Sequence, residues 1–255
     1  MKFVLSAIFV CLVLQVTAVI SQTRRPIRPA TTALAKSREI GQVAYVMDET
    51  LSVLRPKPSL FAVPMQRMRR GRVVKILGVA EADGVKFYRI SAIPTGSGWV
   101  QADAVFGKFR EGDDARLARL VQSMSGFDQI ETANEFFNLF TSSQFRAPIL
   151  LLYGDLLEDT AAKLSRDATR ALSRAEMAAS AAPLHSYYLN YVSLDRYRRI
   201  GITFLFNPTT KQFHYDGASW KELVEKHSGT NEATEAQKRL DSLKEKMARK
   251  LETPN

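Results

Sequence analysis

The feature that most limits the fold is a change of hydrophobic period near Glu111. Residues 42–106 contain short apolar runs rich in Val, Ile, Phe and Tyr and separated by Pro or Gly, which predicts β-strands. Beyond Glu111, apolar residues recur three and four positions apart, which predicts helices. A single return to strand-like alternation near 202–215, around the turn Asn207–Thr210, predicts a β-hairpin. The predicted fold class is therefore α+β, with a small β-barrel followed by a mainly α-helical domain that contains one short hairpin.

The first twenty residues have the features of an export signal. A short positive start precedes an apolar stretch, and Val16-Thr17-Ala18 fits the small-x-Ala pattern that signal peptidase cleaves. We predict a signal peptide over residues 1–20 and an exported protein, periplasmic or secreted. The alternative is an uncleaved N-terminal membrane anchor, because the apolar stretch is close to the length of a spanning helix.

Residues 21–39 carry prolines and arginines without any hydrophobic period, which predicts a flexible basic linker. The sequence has one cysteine, Cys11, and it lies inside the predicted signal peptide. After cleavage the chain would have no thiol, so we expect no disulfide and no thiolate chemistry. The cores alone must then stabilise the mature protein.

Several residues between 40 and 108 occur in a characteristic order. A Leu-x-Val-x-Arg segment is followed by a proline loop, a glycine before an apolar strand, and a closing Gly-Trp-Val. The matching positions are Leu51, Val53, Arg55, Pro58, Gly71 with Val73–Leu77, Tyr88–Ile90 and Gly98-Trp99-Val100. This order resembles the bacterial SH3-like (SH3b) domains, which implies a small barrel that binds a ligand or acts as a spacer. Ser52, in place of the usual Asn, and the additional segment 59–66 depart from the family pattern.

The C-terminal part has a second, looser resemblance. The span Trp220–Leu243 is similar to the final helix pair of tetratricopeptide-type repeats in bacterial envelope proteins, and such helices bind other proteins. We predict a helical domain over 111–227 and an amphipathic C-terminal helix over 228–255. The nearly heptad spacing of apolar residues in this last helix leaves self-association open as an alternative to a different protein partner.

Charge and aromatic residues select the candidate contact residues. The formal net charge is +10, which favours acidic partners. The basic turn around Gly71 could be a docking patch for a polyanion, or an exposed turn whose charges keep a barrel edge soluble. Trp99 could line a groove or belong to the core. The candidate ligand or partner contacts are Arg67, Arg69, Arg70, Arg72, Trp99 and Tyr88.

No sequence pattern predicts catalysis. His185, His214 and His227 lack the spacing of a metal-binding helix motif, and a packed or surface histidine is the expected role of His214. Asp155 and Asp159 are four residues apart, with Glu158 beside them, but the sequence predicts nothing that converges on them, so we expect an exposed acidic helix face. The prediction is a non-enzyme without catalytic residues, cofactor or metal site.

Taken together, these features predict a non-catalytic, exported cell-envelope binding or scaffold protein. Its barrel would contact cell-wall material or an envelope protein, and its helical domain would mediate contacts between proteins. The alternative is an accessory subunit or regulator of a cell-wall hydrolase, or less favourably a cryptic hydrolase, because SH3-like modules often accompany such enzymes. Nucleic acid is not an expected partner of an exported protein.

Overall fold

The computed structural model describes residues 37–92, 96–172 and 183–249. The predicted signal peptide and most of the predicted linker lie outside the described residues. Ser37–Asn255 forms one compact unit. An antiparallel sheet occupies its N-terminal part and helices follow, which confirms the α+β class.

The main sheet is five-stranded with the order β6-β5-β4-β1-β7. Its pairs are antiparallel, and β4 and β5 form a long hairpin with a register irregularity between Ile76 and Gly78. A separate two-stranded ladder joins β2 to β3. The strands of this region are β1 (Val43–Val46), β2 (Val53–Leu54), β3 (Gln66–Arg67), β4 (Val73–Ala82), β5 (Val85–Ala92), β6 (Gly96–Gln101) and β7 (Val105–Phe106).

One face of the sheet encloses a core, as the alternation of residues predicts. Alternation along the strands predicts that Val74, Ile76, Tyr88 and Ile90 point inward, and each is at most 2% exposed. Val53 is also buried, whereas its predicted companion Leu51 is half-buried. The period-two pattern therefore identified the interior of this sheet correctly.

The helices begin directly after the sheet. Within the described ranges, no helix combines the length and the apolar composition that crossing a bilayer requires. The sequence predicts Asp113 as the N-cap of the first helix and Gly126 as its end. In the structure Asp113 is instead the first helical residue after Gly112, and Gly126 begins the second helix. The helices are α1 (Asp113–Ser123), α2 (Gly126–Leu139), α3 (Arg146–Ala171), α4 (Leu184–Leu189), α5 (Asp195–Arg198), α6 (Ala218–Lys226) and α7 (Asn231–Ala248).

The predicted β-hairpin is present as β8 (Phe204–Asn207) and β9 (Gln212–Tyr215). The spacing of Tyr187, Tyr188, Tyr191 and Tyr197 predicts one helical segment before this hairpin. The structure instead has α4, a short 3-10 turn and α5 there. Tyr188 stacks on Phe206, with ring centroids 4.7 Å apart, and is fully buried. Tyr197 is also buried, so both Tyr188 and Tyr197 belong to the helical core.

The sheet and the helices have separate buried clusters. The two regions are connected at a small contact, the joint, which is formed by Met47, Phe106 and Asp113. Met47 and Phe106 come from the sheet region but pack in the helical cluster. The Arg116 guanidinium lies 4.6 Å from the centre of the Phe106 ring. The Asp113 carboxylate accepts hydrogen bonds from Arg110 Nε at 2.6 Å and from the Gly107 amide at 2.9 Å. The end of β7 is therefore bound directly to the start of α1.

Candidate functional site

The basic turn between β3 and β4 divides into a buried and an exposed part. The Arg70 side chain is 4% exposed, and its Nη1 donates to Glu131 Oε2 of α2 at 2.7 Å. Its Nε also donates to the Met47 carbonyl at 3.3 Å. Arg70 therefore links the turn to the helices, and its guanidinium is not available to an external polyanion.

The other arginines of the turn have different surroundings. Arg69 is exposed, and Arg67 is exposed while its guanidinium donates to the Thr50 carbonyl at 2.7 Å. Arg72 is half-buried. Gly71 has a φ of 76°, as the predicted need for a special turn conformation requires. Arg67 and Arg69 thus remain the arginines of this turn with the most accessible charge.

This difference gives a test on neighbouring residues. Arg70→Gln should lower the free energy of unfolding by about 2 kcal/mol, because the substitution removes the buried guanidinium from its ion pair and leaves the partly exposed Glu131 without this partner. Arg69→Gln, the matched control in the same turn, should change it by less than about 0.5 kcal/mol. Urea unfolding of both variants measures the two effects. Equal effects would contradict the assignment of Arg70 as the residue that links turn and helices.

Tyr88, another predicted contact residue, lies inside the sheet core. It is fully buried, and its hydroxyl donates to Glu39 Oε1 at 2.6 Å. Lys86 Nζ donates to the same carboxylate oxygen at 2.7 Å. Burial and the hydrogen bond to Glu39 raise the pKa of Tyr88 above its ordinary value. Tyr88 therefore stabilises the sheet and does not reach an external ligand.

Trp99 lies on β6 and is half-buried. Its backbone pairs with Arg55, with the Arg55 amide 2.8 Å from the Trp99 carbonyl and the Trp99 amide 2.7 Å from the Arg55 carbonyl. On the opposite side it is in register with Arg89, which is exposed. Trp99 is therefore next to the start of the loop that connects β2 with β3.

This loop, residues 55–65, presents apolar side chains to the solvent. Phe61 and Val63 are 87% and 77% exposed, the highest values among the large apolar side chains that the structure describes. Met65 is 55% exposed. Three such side chains within five residues form a concentrated apolar surface, which in soluble proteins marks a binding site for a protein or a membrane.

The backbone of the loop is held by specific contacts. Asp83, in the turn between β4 and β5, accepts hydrogen bonds from Ser59 Oγ at 2.7 Å and from the Leu60 amide at 2.8 Å. The Arg55 guanidinium donates to the Ala62 carbonyl. At the other end, the Met65 amide donates to the Leu54 carbonyl at 2.8 Å. The loop is anchored on both sides, so its apolar side chains are displayed on a defined backbone.

The charged residues of the segment that contains the loop are all positive, although the Asp83 carboxylate of the next hairpin contacts the loop. Residues 51–72 contain six Lys and Arg residues and no Asp or Glu. Lys57, Arg67 and Arg69 are the exposed ones among these cations. We name the set formed by Lys57, Phe61, Val63, Met65, Arg67 and Arg69 the loop surface.

The apolar half of the loop surface was missed by the sequence-based prediction. In the sequence, residues 59–66 stand out only as a segment that the SH3-like pattern lacks. A usable signal was present, because Phe61 and Val63 lie between Pro58 and Pro64, Met65 directly follows Pro64, and a run of arginines comes next. An apolar residue in such a position has no predicted core to enter.

A second polar cluster lies between α3, β9 and α7. Glu158 accepts hydrogen bonds from Lys246 Nζ at 2.8 Å and from the Tyr215 amide at 2.9 Å, and it is 2.9 Å from His214 Nδ1. Burial alone would raise the pKa of Glu158, but the hydrogen bonds from His214, Lys246 and Tyr215 outweigh it and lower the pKa to about 2. His214 is buried, as expected.

The expectation of an exposed acidic face on α3 is wrong for Glu158, because three groups converge on it. Asp155 is also engaged, since Arg239 Nε donates to its carboxylate at 3.1 Å. A cavity of about 320 Å³ lies beside these groups. Within the described ranges, no group of three or more His, Cys, Asp or Glu side chains could hold a metal ion. The charges here neutralise one another and connect secondary-structure elements.

Comparisons of the chain with models of protein families, with curated proteins and with solved structures found no match.

Proposed function

We propose that this chain is an exported, non-catalytic binding or scaffold protein of the cell envelope. In this proposal residues 40–108 form an SH3-like barrel whose loop surface contacts the envelope, and the helices mediate contacts with another protein. The observation that carries the proposal is the loop surface, where exposed apolar side chains on an anchored backbone lie between exposed cations in the sequence.

Backbone pairing supports the barrel. The Arg55–Trp99 bridge connects the small β2–β3 ladder to the β6 edge of the main sheet. Pairing of this edge removes unsatisfied amide and carbonyl groups, as closure of a barrel does. The order of residues that resembles SH3-like domains lies within the same segment, from Leu51 to Val100.

The sequence features of export support the location. A leader over residues 1–20 would place the mature chain where anionic wall polymers and lipids are abundant. The net charge of +10 favours association with such polyanions. The loop surface would then combine a general electrostatic attraction with a local apolar contact.

Co-sedimentation of the chain from Gln22 to Asn255 with isolated cell envelopes and with purified cell-wall sacculi tests the proposal at low and high salt. We expect the protein in the envelope pellet, with partial loss at high salt, because salt screens charges but not apolar contact. The double variant Arg67→Gln, Arg69→Gln should bind less. Its matched control, Lys238→Gln with Lys244→Gln, removes two exposed cations of α7 and should bind normally.

Two outcomes would overturn the proposal. The first is a protein that neither sediments with envelope fractions nor captures an envelope protein. The second is a clearing band on cell-wall zymograms, which would show a hydrolase. Loss of binding in the control variant as large as in the loop variant would contradict the role of the loop surface and leave only general charge.

A further inference from the structure

We propose that the loop surface docks on an anionic lipid bilayer, with Phe61, Val63 and Met65 inserted between the headgroups and the neighbouring cations bound to lipid phosphates. This inference rests on the proposed envelope function and names its partner. It is carried by the exposed apolar residues of the loop and by the exposed cations that flank them in the sequence, Lys57 on one side and Arg67 and Arg69 on the other.

The exposure of the apolar residues favours lipid over a protein pocket as the occupant. Phe61 is 87% exposed, so almost none of its surface is covered by the chain and it extends outward from the loop. Val63 and Met65 follow at intervals of two residues. A convex apolar tip fits a deformable layer of acyl chains, whereas peptide recognition by a barrel uses aromatic side chains that line a groove.

The charge pattern identifies the headgroup. Lys57 precedes the apolar tip, Arg67 and Arg69 follow it, and the segment 51–72 has no acidic residue. Cations near a bilayer surface are attracted to anionic lipids, and each adds to the affinity. On a neutral bilayer the protein would bind through its apolar residues alone, and therefore more weakly.

The anchors of the loop make docking possible without a folding step. Asp83 holds the Ser59 hydroxyl and the Leu60 amide, and Arg55 holds the Ala62 carbonyl. The Asp83 carboxylate is therefore directed toward the loop and is engaged by these two donors. Because the backbone is held before contact, little conformational entropy is lost when the tip enters the headgroup layer.

Vesicle co-sedimentation tests this inference with the chain from Gln22 to Asn255, which contains the whole compact unit. Vesicles of phosphatidylcholine alone are compared with vesicles of phosphatidylcholine and phosphatidylglycerol in equal amounts. We expect binding to the anionic vesicles. The triple variant Phe61→Ser, Val63→Ser, Met65→Ser should bind them at least about 30-fold more weakly, because the apolar burial is lost.

The apolar half of the surface has a matched control elsewhere in the chain, and the charged half has a test variant of its own. Leu184→Ser with Val192→Ser removes apolar side chains that are 48% and 73% exposed elsewhere, and it should leave vesicle binding unchanged. Lys57→Gln with Arg67→Gln and Arg69→Gln should weaken binding to anionic vesicles about tenfold or more and abolish the preference over neutral vesicles. All of these substitutions are at exposed positions, so each variant should fold.

Insertion itself can be measured at one position. The chain after the predicted leader has no cysteine, so Pro64→Cys provides a single attachment site for a polarity-sensitive dye within the apolar tip. We expect the dye to brighten on anionic vesicles. The same dye on Val192→Cys should not respond.

The outcomes separate this inference from the proposed function. Binding to sacculi or to an envelope protein without binding to vesicles would overturn the lipid contact and leave the envelope function intact. Vesicle binding that the triple serine variant retains would also overturn it. Absence of binding to vesicles, sacculi and envelope fractions alike would refute both.

Discussion

Asp113→Ala is expected to lower the free energy of unfolding by about 3–5 kcal/mol, the range for removal of one partner from a buried ion pair. The Asp113 side chain is fully buried and accepts hydrogen bonds of 2.6 Å from both Arg110 Nε and Arg116 Nη1. It also accepts the Gly107 amide at 2.9 Å. Alanine would leave two guanidinium groups without this partner and would leave a buried amide unsatisfied.

Asp114→Ala is the matched control, since Asp114 occupies the next position in the first turn of α1. Its carboxylate accepts hydrogen bonds from Ser143 Oγ at 2.7 Å and from the adjacent Ala115 amide at 2.8 Å, and neither donor is charged. The expected loss is about 1 kcal/mol. Urea unfolding of both variants gives the comparison, and similar losses in the two would show that Asp113 acts only through its charge near the helix N-terminus.

Glu158→Gln is expected to lower the free energy of unfolding by about 2–3 kcal/mol at neutral pH and by much less at pH near 2. The pKa of Glu158 is lowered from its ordinary value of 4.5 to about 2 by hydrogen bonds from His214, Lys246 and Tyr215, which outweigh the opposing effect of burial. When the pKa of a carboxylate is lowered in the folded state, its contribution to stability is fully present at pH values above its ordinary pKa, which is the pKa in the unfolded chain. That stabilisation is lost as the pH falls from about 5 towards 2.

Denaturant unfolding of the parent protein and of Glu158→Gln, measured across this pH range, checks the sign. The difference between the two should be largest above pH 5 and should decrease as the pH falls. Asp159→Asn, at the exposed neighbouring position, should show little difference at any pH. A difference between parent and Glu158→Gln that does not change with pH would contradict the electrostatic explanation.

The local sequence predicted the elements well, because their faces follow simple periods. Alternation identified the buried positions of β4 and β5, and spacing of three and four identified the helices. The same spacing failed between Tyr187 and Tyr197, where one helix was expected and several short turns occur. The period shows which side chains enter the core, but not where the backbone must bend to bring them there.

The candidate site was less predictable, because it depends on contacts between distant residues. The burial of Arg70 is set by Glu131, which is 61 positions away in the sequence. The loop that presents Phe61 is held by Asp83 of the next hairpin, which accepts hydrogen bonds from the Ser59 hydroxyl and the Leu60 amide. A run of arginines or apolar residues does not reveal which of its members such distant partners will bury.

The joint formed by Met47, Phe106 and Asp113 also limits how the sheet region can be used in protein engineering. A fragment that ends at residue 108 would leave the apolar surfaces of Met47 and Phe106 open to water and the Gly107 amide without its acceptor. Transfer of the loop surface onto another protein therefore requires α1 and the adjoining part of α2 as well. The transferable cassette is the sheet together with the helices that cover its end.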